Sequence, residues 1–548
     1  MGVLLQVASL PIATWLLWKL IGSSFRGTSL DNIPGPKPAS FLLGHFDVLM
    51  SKDYWAFLQD ISRNYGGIVK LQELFGRKFL YVADPAALHT MFVKEPNNFE
   101  ESSEFLIGNR LLFGPGLASA SGEMHRKQRK LLNPAFAPAH LREIAPVFFD
   151  VANTMCDAIA EEVTNGQEEV NMAAWTGRGA LEIVGQSAMG YSFDQLKGSV
   201  SNEYAIALRS LMPTVFSIAL HWFFVPWSIY LGPPKFRRWL LDFYPFPNAQ
   251  KLKNIVNTVW DRSVTIVDQH KAALLNGDEA VNERVGGGKD IISILLRANM
   301  QASEEDRLPD EQLTAQVNTL IFAASDTTSN GLARVLHTLA ENQDVQERLR
   351  KEINDIRKES WDGEELTYER LCEMPFLDAV VRETLRVYPP VLSMDRVALC
   401  DTVLPLSKPI TDTDGKTITE VLVTKDTTLN IGIYTFNRSK DLWGEDAEDW
   451  KPERWLKPLP DTIKNSPSGA VFGNLMTFAG GPRSCIGFKY AELEIKAFLF
   501  HLVERFKFTP ATSSKIIWNT SFVVFPSVTK DSSKAEMPLK VEIIRSTA

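Results

Sequence analysis

Between Phe478 and Gly487 the chain reads Phe-Ala-Gly-Gly-Pro-Arg-Ser-Cys-Ile-Gly, a lone cysteine fenced by glycines. No other segment constrains the fold as tightly. Glycine permits sharp turns and lets the backbone approach a flat ligand closely. A thiolate held in such a turn can accept backbone N–H bonds and act as a single strong metal ligand. The plainer alternative is a glycine-rich turn around an inert cysteine. The other cysteines, Cys156, Cys372 and Cys400, are far apart, and no C-x-x-C pair occurs. Neither a zinc ribbon nor a disulfide scaffold is indicated. The eight histidines also lack the H-x-x-x-H spacing of a helical metal site. Few protein-only metal sites remain, which leaves room for a metal carried by an organic cofactor.

At 548 residues the chain can bury a large core, in several domains or one continuous α-rich unit. Its formal charge of -8 gives no reason to expect nucleic acid, which calls for a basic face. No charge occurs from Gly2 to Trp18, and the apolar run over 3–21 is long enough to span a bilayer. Lys19 and Arg26 follow that run, so the positive-inside rule places everything after residue 22 in the cytosol. A cleaved secretory signal fits less well, because no basic stretch precedes the run. Pro34-Gly-Pro-Lys-Pro38 cannot be helical, and 22–40 reads as a stiff hinge. N-x-S/T patterns at Asn437 and Asn519 would then face the cytosol and stay unmodified.

Ile68–Gln72 and Lys78–Val82 alternate apolar residues between turn formers and predict a hairpin. Apolar spacing of three and four predicts mostly helix from about 139 to 380, with strands returning near 396–434 and 506–545. Gly286-Gly-Gly288 reads as a surface turn. The aromatic-rich segment 215–230 reads as buried helix, although Pro226 should kink it, or as a patch dipping into a membrane.

A long helix is predicted after Pro309, with Asp310 as N-cap, running to about Asn342. Its middle, Ala323-Ala-Ser-Asp-Thr-Thr-Ser-Asn-Gly331, is small and hydroxylated and so conflicts with helix propensity, as functional segments often do. Asp326 and Thr327 adjoin and could relay protons; the plain reading ends the helix at Gly331. Glu383 and Arg386 share one face of an apolar-periodic helix, and Pro452-Glu-Arg-Trp455 offers Arg454 as a third member. His125-Arg-Lys-Gln-Arg129 forms a basic helical turn.

In order along the chain, these motifs resemble the cytochrome P450 family. F-x-x-G-x-R-x-C-x-G is met by Phe478, Gly481, Arg483, Cys485 and Gly487. The family's oxygen helix, [A/G]-G-x-[D/E]-T-[T/S], is matched by Ala323, Asp326, Thr327 and Thr328, with Ala324 in place of the glycine. The family's W-x-x-x-R is matched at Arg129, with His125 in place of tryptophan. The resemblance implies a mainly α fold with small β-sheets, a triangular α-rich prism over 41–548, preceded by one transmembrane helix.

It further implies haem b with Cys485 as the axial iron ligand, and Phe478 and Gly487 shaping the loop. His125, Arg129, Arg396 and Arg483 would meet the haem acid groups, while the triad Glu383, Arg386 and Arg454 would support the loop. Asp326 and Thr327 would be catalytic in oxygen activation. An apolar pocket is expected from Leu112, Phe113, Ala323, Val391, Leu392 and Phe522. The implied partners are dioxygen, a lipophilic substrate of fungal terpenoid or polyketide metabolism, and a separate NADPH-cytochrome P450 reductase. Lys127, Lys130, Arg438, Lys440 and Lys489 are docking candidates for that reductase. The implied location is the endoplasmic reticulum membrane. An isomerase or dehydratase that needs no dioxygen, or a non-enzymatic haem sensor, would be the other uses of such a chain.

Overall fold

The computed structural model describes residues 27–544 apart from 195, 197–202, 219–220, 222–224, 278–287 and 360–365. The expected anchor at 3–21 lies outside the described residues, as does most of the glycine triplet. Among the described residues no helix is long and apolar enough to cross a membrane. Two compact units interleave in sequence: one runs to Ser102 and includes Val391–Asp449 and Pro460–Ser484. The other holds Ser103–Pro390, Trp450–Leu459 and the chain from Cys485 onward.

The first unit is built on strands. Numbering strands along the whole chain, β1 (Ile68–Gln72) and β2 (Lys78–Val82) form the predicted hairpin, with Ile68 opposite Val82. β3 is Phe99–Glu100; β4 belongs to the other unit; β5 is Ser393–Ala398. β6 (Thr402–Thr411) and β7 (Thr417–Val423) make a separate hairpin, and β8 is Thr428–Gly432. The five-stranded order is β1-β2-β8-β5-β3, in which β2 and β8 alone run parallel. Tyr81 is fully buried in this sheet and donates from its hydroxyl to Thr435 Oγ1 at 2.8 Å. A Cβ on Gly432 would sit 2.3 Å from that ring, so only glycine fits. Residues 34–38 form no helix or strand, but they are not a free linker. Leu30 and Ile33 are buried, and the Pro34 carbonyl accepts from Lys70 N–H at 3.0 Å.

β9 (Ala470–Phe472) and β10 (Leu475–Gly480) form a third hairpin in the first unit. Asn437 lies beneath it, donating to Thr477 Oγ1 and accepting from Met476 N–H, each at 2.8 Å.

The second unit is mainly helical. Four helices matter here: α1 (Gly122–Leu132), α2 (Asp310–Glu341), α3 (Pro375–Val387) and α4 (Phe488–Arg505). The small strands are β4 (Glu169–Asn171), β11 (Phe506–Pro510), β12 (Ile517–Ser521), β13 (Val523–Ser527) and β14 (Pro538–Ile543). β11, β14 and β4 form one sheet, and β12 pairs with β13. Asn519, like Asn437, is fully buried, so neither sequon is open to modification in the folded chain.

Two expectations change. Pro309, not Asp310, occupies the N-cap of α2; Asp310 starts the helix and pairs with Lys271 at 2.5 Å. Its carboxylate still favours the positive end of the helix dipole. The helix also runs straight through Gly331, which is buried beside Ile495, Pro390 and Leu385. The described part of 215–230 is not one buried helix: 215–217 end the helix Glu203–Ser217 half-buried to exposed, and Val225–Leu231 is a short 3-10 turn that exposes Trp227, Tyr230 and Leu231. The next helix, Pro234–Asp242, adds exposed Phe236 and Trp239 beside Lys235 and Arg238.

Candidate functional site

In the second unit the cysteine opens the turn into α4, whose N-cap is Gly487. Cys485 has no disulfide partner and keeps accessible surface, yet protein closely surrounds it. Burial pushes its thiol up, while a backbone hydrogen bond from Gly487 and the charge of Arg129 favour the thiolate. Arg129 lies on α1, whose buried face includes His125 and Gln128.

Sequence reasoning missed Gln128. It donates to the Pro115 carbonyl and to Gln312 Oε1, both at 3.0 Å, and accepts from Gln316 Nε2 at 2.9 Å. Gln316 in turn accepts from Leu117 N–H at 3.0 Å. A run of amides thus fastens α1 to the first turns of α2; only their i, i+4 spacing on the predicted helix could have hinted at it.

α2 is buried over Leu313–Ile321 and again over most of Thr328–Ala340. Between them Phe322 to Thr327 is open, with Ala323 the most exposed. Thr327 donates its hydroxyl to the Ala323 carbonyl at 2.8 Å. Ser325 does likewise to Ile321 at 2.7 Å, and Asn330 Nδ2 to the Asp326 carbonyl at 2.7 Å. Such back-bonds loosen a helix locally. Asp326 is part-exposed but densely surrounded, and that burial pushes its carboxyl up to about 6. Phe113 stacks on Phe322 with centroids 4.7 Å apart, and its carbonyl accepts from Asn318 Nδ2 at 3.2 Å. Leu112 is buried beside it in sequence; Phe522 is exposed at the β12–β13 tip, with φ of 65°. That hairpin is held by Arg334, which stacks 3.5 Å from the Trp518 ring and 4.3 Å from that of Tyr388.

The expected triad forms a buried knot. Glu383 and Arg386 are both fully buried and joined by two bonds of 2.8 Å. Arg454 Nε reaches Glu383 at 3.4 Å, while Lys451 N–H and Trp455 Nε1 donate to it at 2.9 Å. The two tryptophans add a signal that sequence reading overlooked, since Trp450 Nε1 also donates to Thr384 Oγ1 at 3.0 Å.

The first unit holds the remaining candidates. Gly481 has φ of 68°, and a Cβ there would lie 2.6 Å from the Phe92 carbonyl oxygen. Phe478 meets the Phe472 ring edge-on at 5.0 Å. Arg396 pairs with Glu101 at 2.7 Å and Arg483 with Glu100 at 2.5 Å. Val391 is half-buried and Leu392 buried. Arg438, a docking candidate, is buried over the Tyr434 ring and is withdrawn from that role. Lys440 pairs with Glu445 at 3.0 Å. In the second unit Lys127 donates to the Glu305 carbonyl at 2.6 Å and Lys130 lies 3.8 Å from Asp306.

Among the described residues no three His, Cys, Asp or Glu side chains converge on a common metal site. A polar recess lined by Asp150, Glu182, Gln186, Ser192 and Asp194 is no rival. The Glu182 carboxylate already accepts from Phe193 N–H, Asp194 N–H and Ser192, and Arg178 holds Asp194 at 2.7 Å. An accessible lone thiol with a backbone donor, and an open stretch of small and polar residues on an otherwise buried helix, fit a flat group that brings its own metal.

A family profile described as Cytochrome P450 matches residues 33–531. Cytochrome P450 monooxygenase 91 of Postia placenta is 44% identical over 533 residues, 97% of each chain. A ganoderic acid synthetase of Ganoderma lucidum is 41% identical over 543 residues, 98% of this chain and 99% of that one. A cytochrome P450 monooxygenase of Hericium erinaceus is 39% identical over 547 residues, 98% and 97% respectively.

Proposed function

The chain belongs to the cytochrome P450 family of haem-thiolate monooxygenases, and from that premise we propose that it oxidises a lipophilic small molecule of fungal secondary metabolism. One oxygen atom of dioxygen enters the substrate and the other leaves as water. Two electrons come from a separate NADPH-cytochrome P450 reductase, and two protons through the protein. The cofactor is haem b, and when bound it supplies the oxygen activation. The observation that carries the reading is Cys485: a lone accessible thiol in a glycine turn, with the Gly487 N–H aimed at its sulfur.

Cys485 ligates iron as thiolate, and the Gly487 N–H stabilises the charge on sulfur. Asp326 is the proton carrier: a carboxyl that titrates at about 6 can give and regain a proton near neutral pH. Thr327 is the positioning hydroxyl, able to exchange its bond to the Ala323 carbonyl for one to a ligand. Arg129, His125, Arg396 and Arg483 hold the haem acid groups. Glu383, Arg386 and Arg454 fix the backbone around Lys451. Apolar Leu112, Phe113, Ala323, Val391, Leu392 and Phe522 line the substrate pocket. A relative named for making ganoderic acid supports terpenoid or polyketide tailoring.

The enzyme works at the endoplasmic reticulum membrane, anchored by residues 3–21, with its catalytic part in the cytosol. Exposed Tyr230, Leu231, Phe236 and Trp239 beside Lys235 and Arg238 support contact with a lipid surface. Lys127, Lys130, Lys440 and Lys489 stand as the reductase contacts.

The test is a carbon-monoxide difference spectrum of the reduced full chain, then product analysis with reductase, NADPH and candidate lipophilic precursors. The thiolate-type band is expected in the wild type and lost in Cys485→Ala. Retention of the band in that variant would sink the assignment. Product formed without dioxygen would replace it with an isomerase or dehydratase.

A further inference from the structure

The two guanidiniums of the first unit that are assigned to the haem acid groups already have carboxylate partners. Glu100 and Glu101 are consecutive at the end of β3, and β3 pairs with β5, so that Glu100 stands opposite Val397. Arg396, next to Val397 on β5, reaches Glu101 Oε2 at 2.7 Å and also donates to the Asp395 carbonyl at 2.7 Å. Arg483, in the turn after β10, reaches Glu100 Oε1 at 2.5 Å. Exposures are 3% for Arg396, 11% for Glu101, 13% for Arg483 and 19% for Glu100. Two cations and two anions therefore balance within one largely dry cluster. Asp395 is the remaining charge acting on Glu101, and its carboxylate is engaged by Asn430 Nδ2 at 2.7 Å.

Haem brings two more carboxylates. Even with Arg129 as the third guanidinium assigned to them beside Arg396 and Arg483, four carboxylates would face three guanidiniums, an excess of negative charge that is costly in a low-dielectric setting unless one acid is neutralised. Glu101 is the acid best prepared for this. It is the less exposed of the two, and burial raises its carboxyl in spite of the opposing pull of Arg396 and Arg483.

We propose that Glu100 and Glu101 are positioning residues for the cofactor: they hold Arg396 and Arg483 in place, and Glu101 takes up a proton as the haem acid groups dock. The haem reading is the basis for this. Haem retention then falls as pH rises, because ionised Glu101 competes with the haem acid groups for the same guanidiniums. Glutamine at 101 mimics the protonated acid and removes that competition.

The experiment uses the haem-loaded full chain and follows haem transfer to excess apomyoglobin at pH 6 and pH 8. The reduction potential is recorded over the same range. Wild type is expected to lose haem several-fold faster at pH 8, with one coupled proton allowing up to about tenfold per pH unit. Glu101→Gln should load haem fully, with equal loss rates at both pH values and a flattened potential. Glu101→Asp should restore the pH dependence, and Glu100→Gln should keep it. An unchanged pH ratio in Glu101→Gln would overturn the proposal, as would failure of that variant to load haem. A wild type without the thiolate-type spectrum would instead overturn the haem reading beneath it.

Discussion

Replacing Glu383 by glutamine asks how much of the second unit hangs on one buried carboxylate. Its oxygens accept from Arg386 Nε and Nη2, Lys451 N–H, Arg454 Nε and Trp455 Nε1. Glutamine keeps one oxygen, so whichever way it turns its NH2 faces guanidinium or indole donors. The charge that neutralised fully buried Arg386 is also gone. Breaking a buried pair from one side costs about 3–5 kcal/mol. Each lost bond to a charged group accounts for about 1.5–3 kcal/mol, within that total rather than on top of it.

A loss near 4 kcal/mol is a large share of the roughly 5–15 kcal/mol that holds a folded protein together. The assay is urea unfolding of the haem-loaded chain, read by tryptophan fluorescence and by haem absorbance. Arg348→Ala is the internal control. Its pair with Glu453 at 2.8 Å is about half exposed on both sides and should be worth no more than about 1 kcal/mol. If Glu383→Gln unfolds within about 1 kcal/mol of wild type, burial has been given the wrong weight.

Asp326→Asn should be more stable than wild type above pH 6. Ionising the buried acid costs the fold nothing below its ordinary value of 3.8 and most above about 6, a difference of up to about 3 kcal/mol. Urea midpoints at pH 4 and pH 8 read this, and equal gaps at the two pH values would contradict it; the same variant should yield less product per NADPH consumed. His501 has neither ring nitrogen hydrogen-bonded, sits against Phe149 and Phe500, and is pushed down to about 3 by burial and by Arg357 and Arg505. A histidine depressed in this way contributes stability above pH 6.5 that is lost as pH falls towards 3, so His501→Phe should flatten acid unfolding in that window. An unaltered acid midpoint would count against it. Gln128→Leu, which strands the Pro115 carbonyl and two partner amides, should cost about 2–4 kcal/mol by thermal or urea unfolding. A neutral result would mean that water replaces it.

The sequence made legible what is local or chemically rare. The β1–β2 hairpin carries its own register, and α2 shows its polar interruption at Asp326–Thr327 as a break in propensity. Cys485 is conspicuous because few arrangements surround a thiol with glycine. Glu383 and Arg386 are three residues apart and so disclose each other. Glu100 and Glu101 could not be read, because an acidic doublet looks the same on a solvated face as against two arginines nearly 300 and 400 residues away in sequence. Arg438 failed for the converse reason: nothing local distinguishes a buried arginine over Tyr434 from an exposed one. The glutamines of α1 and α2 pair across 184 and 188 residues, and amides carry no charge pattern to advertise it.

The parallel pairing of β2 with β8 also sets a clock. Leu80 meets Leu429, so the edge formed by Leu80, Tyr81 and Val82 waits 349 residues for its neighbour. At ribosomal rates of about 5–20 residues per second, that edge stays open for roughly 20–70 s. β1 shields the other side from the start, but an apolar strand with unmet N–H and C=O groups is an invitation to pair with any other nascent chain. Slowing or speeding translation through residues 83–428 should therefore change the yield of folded protein without changing a single residue of the finished enzyme.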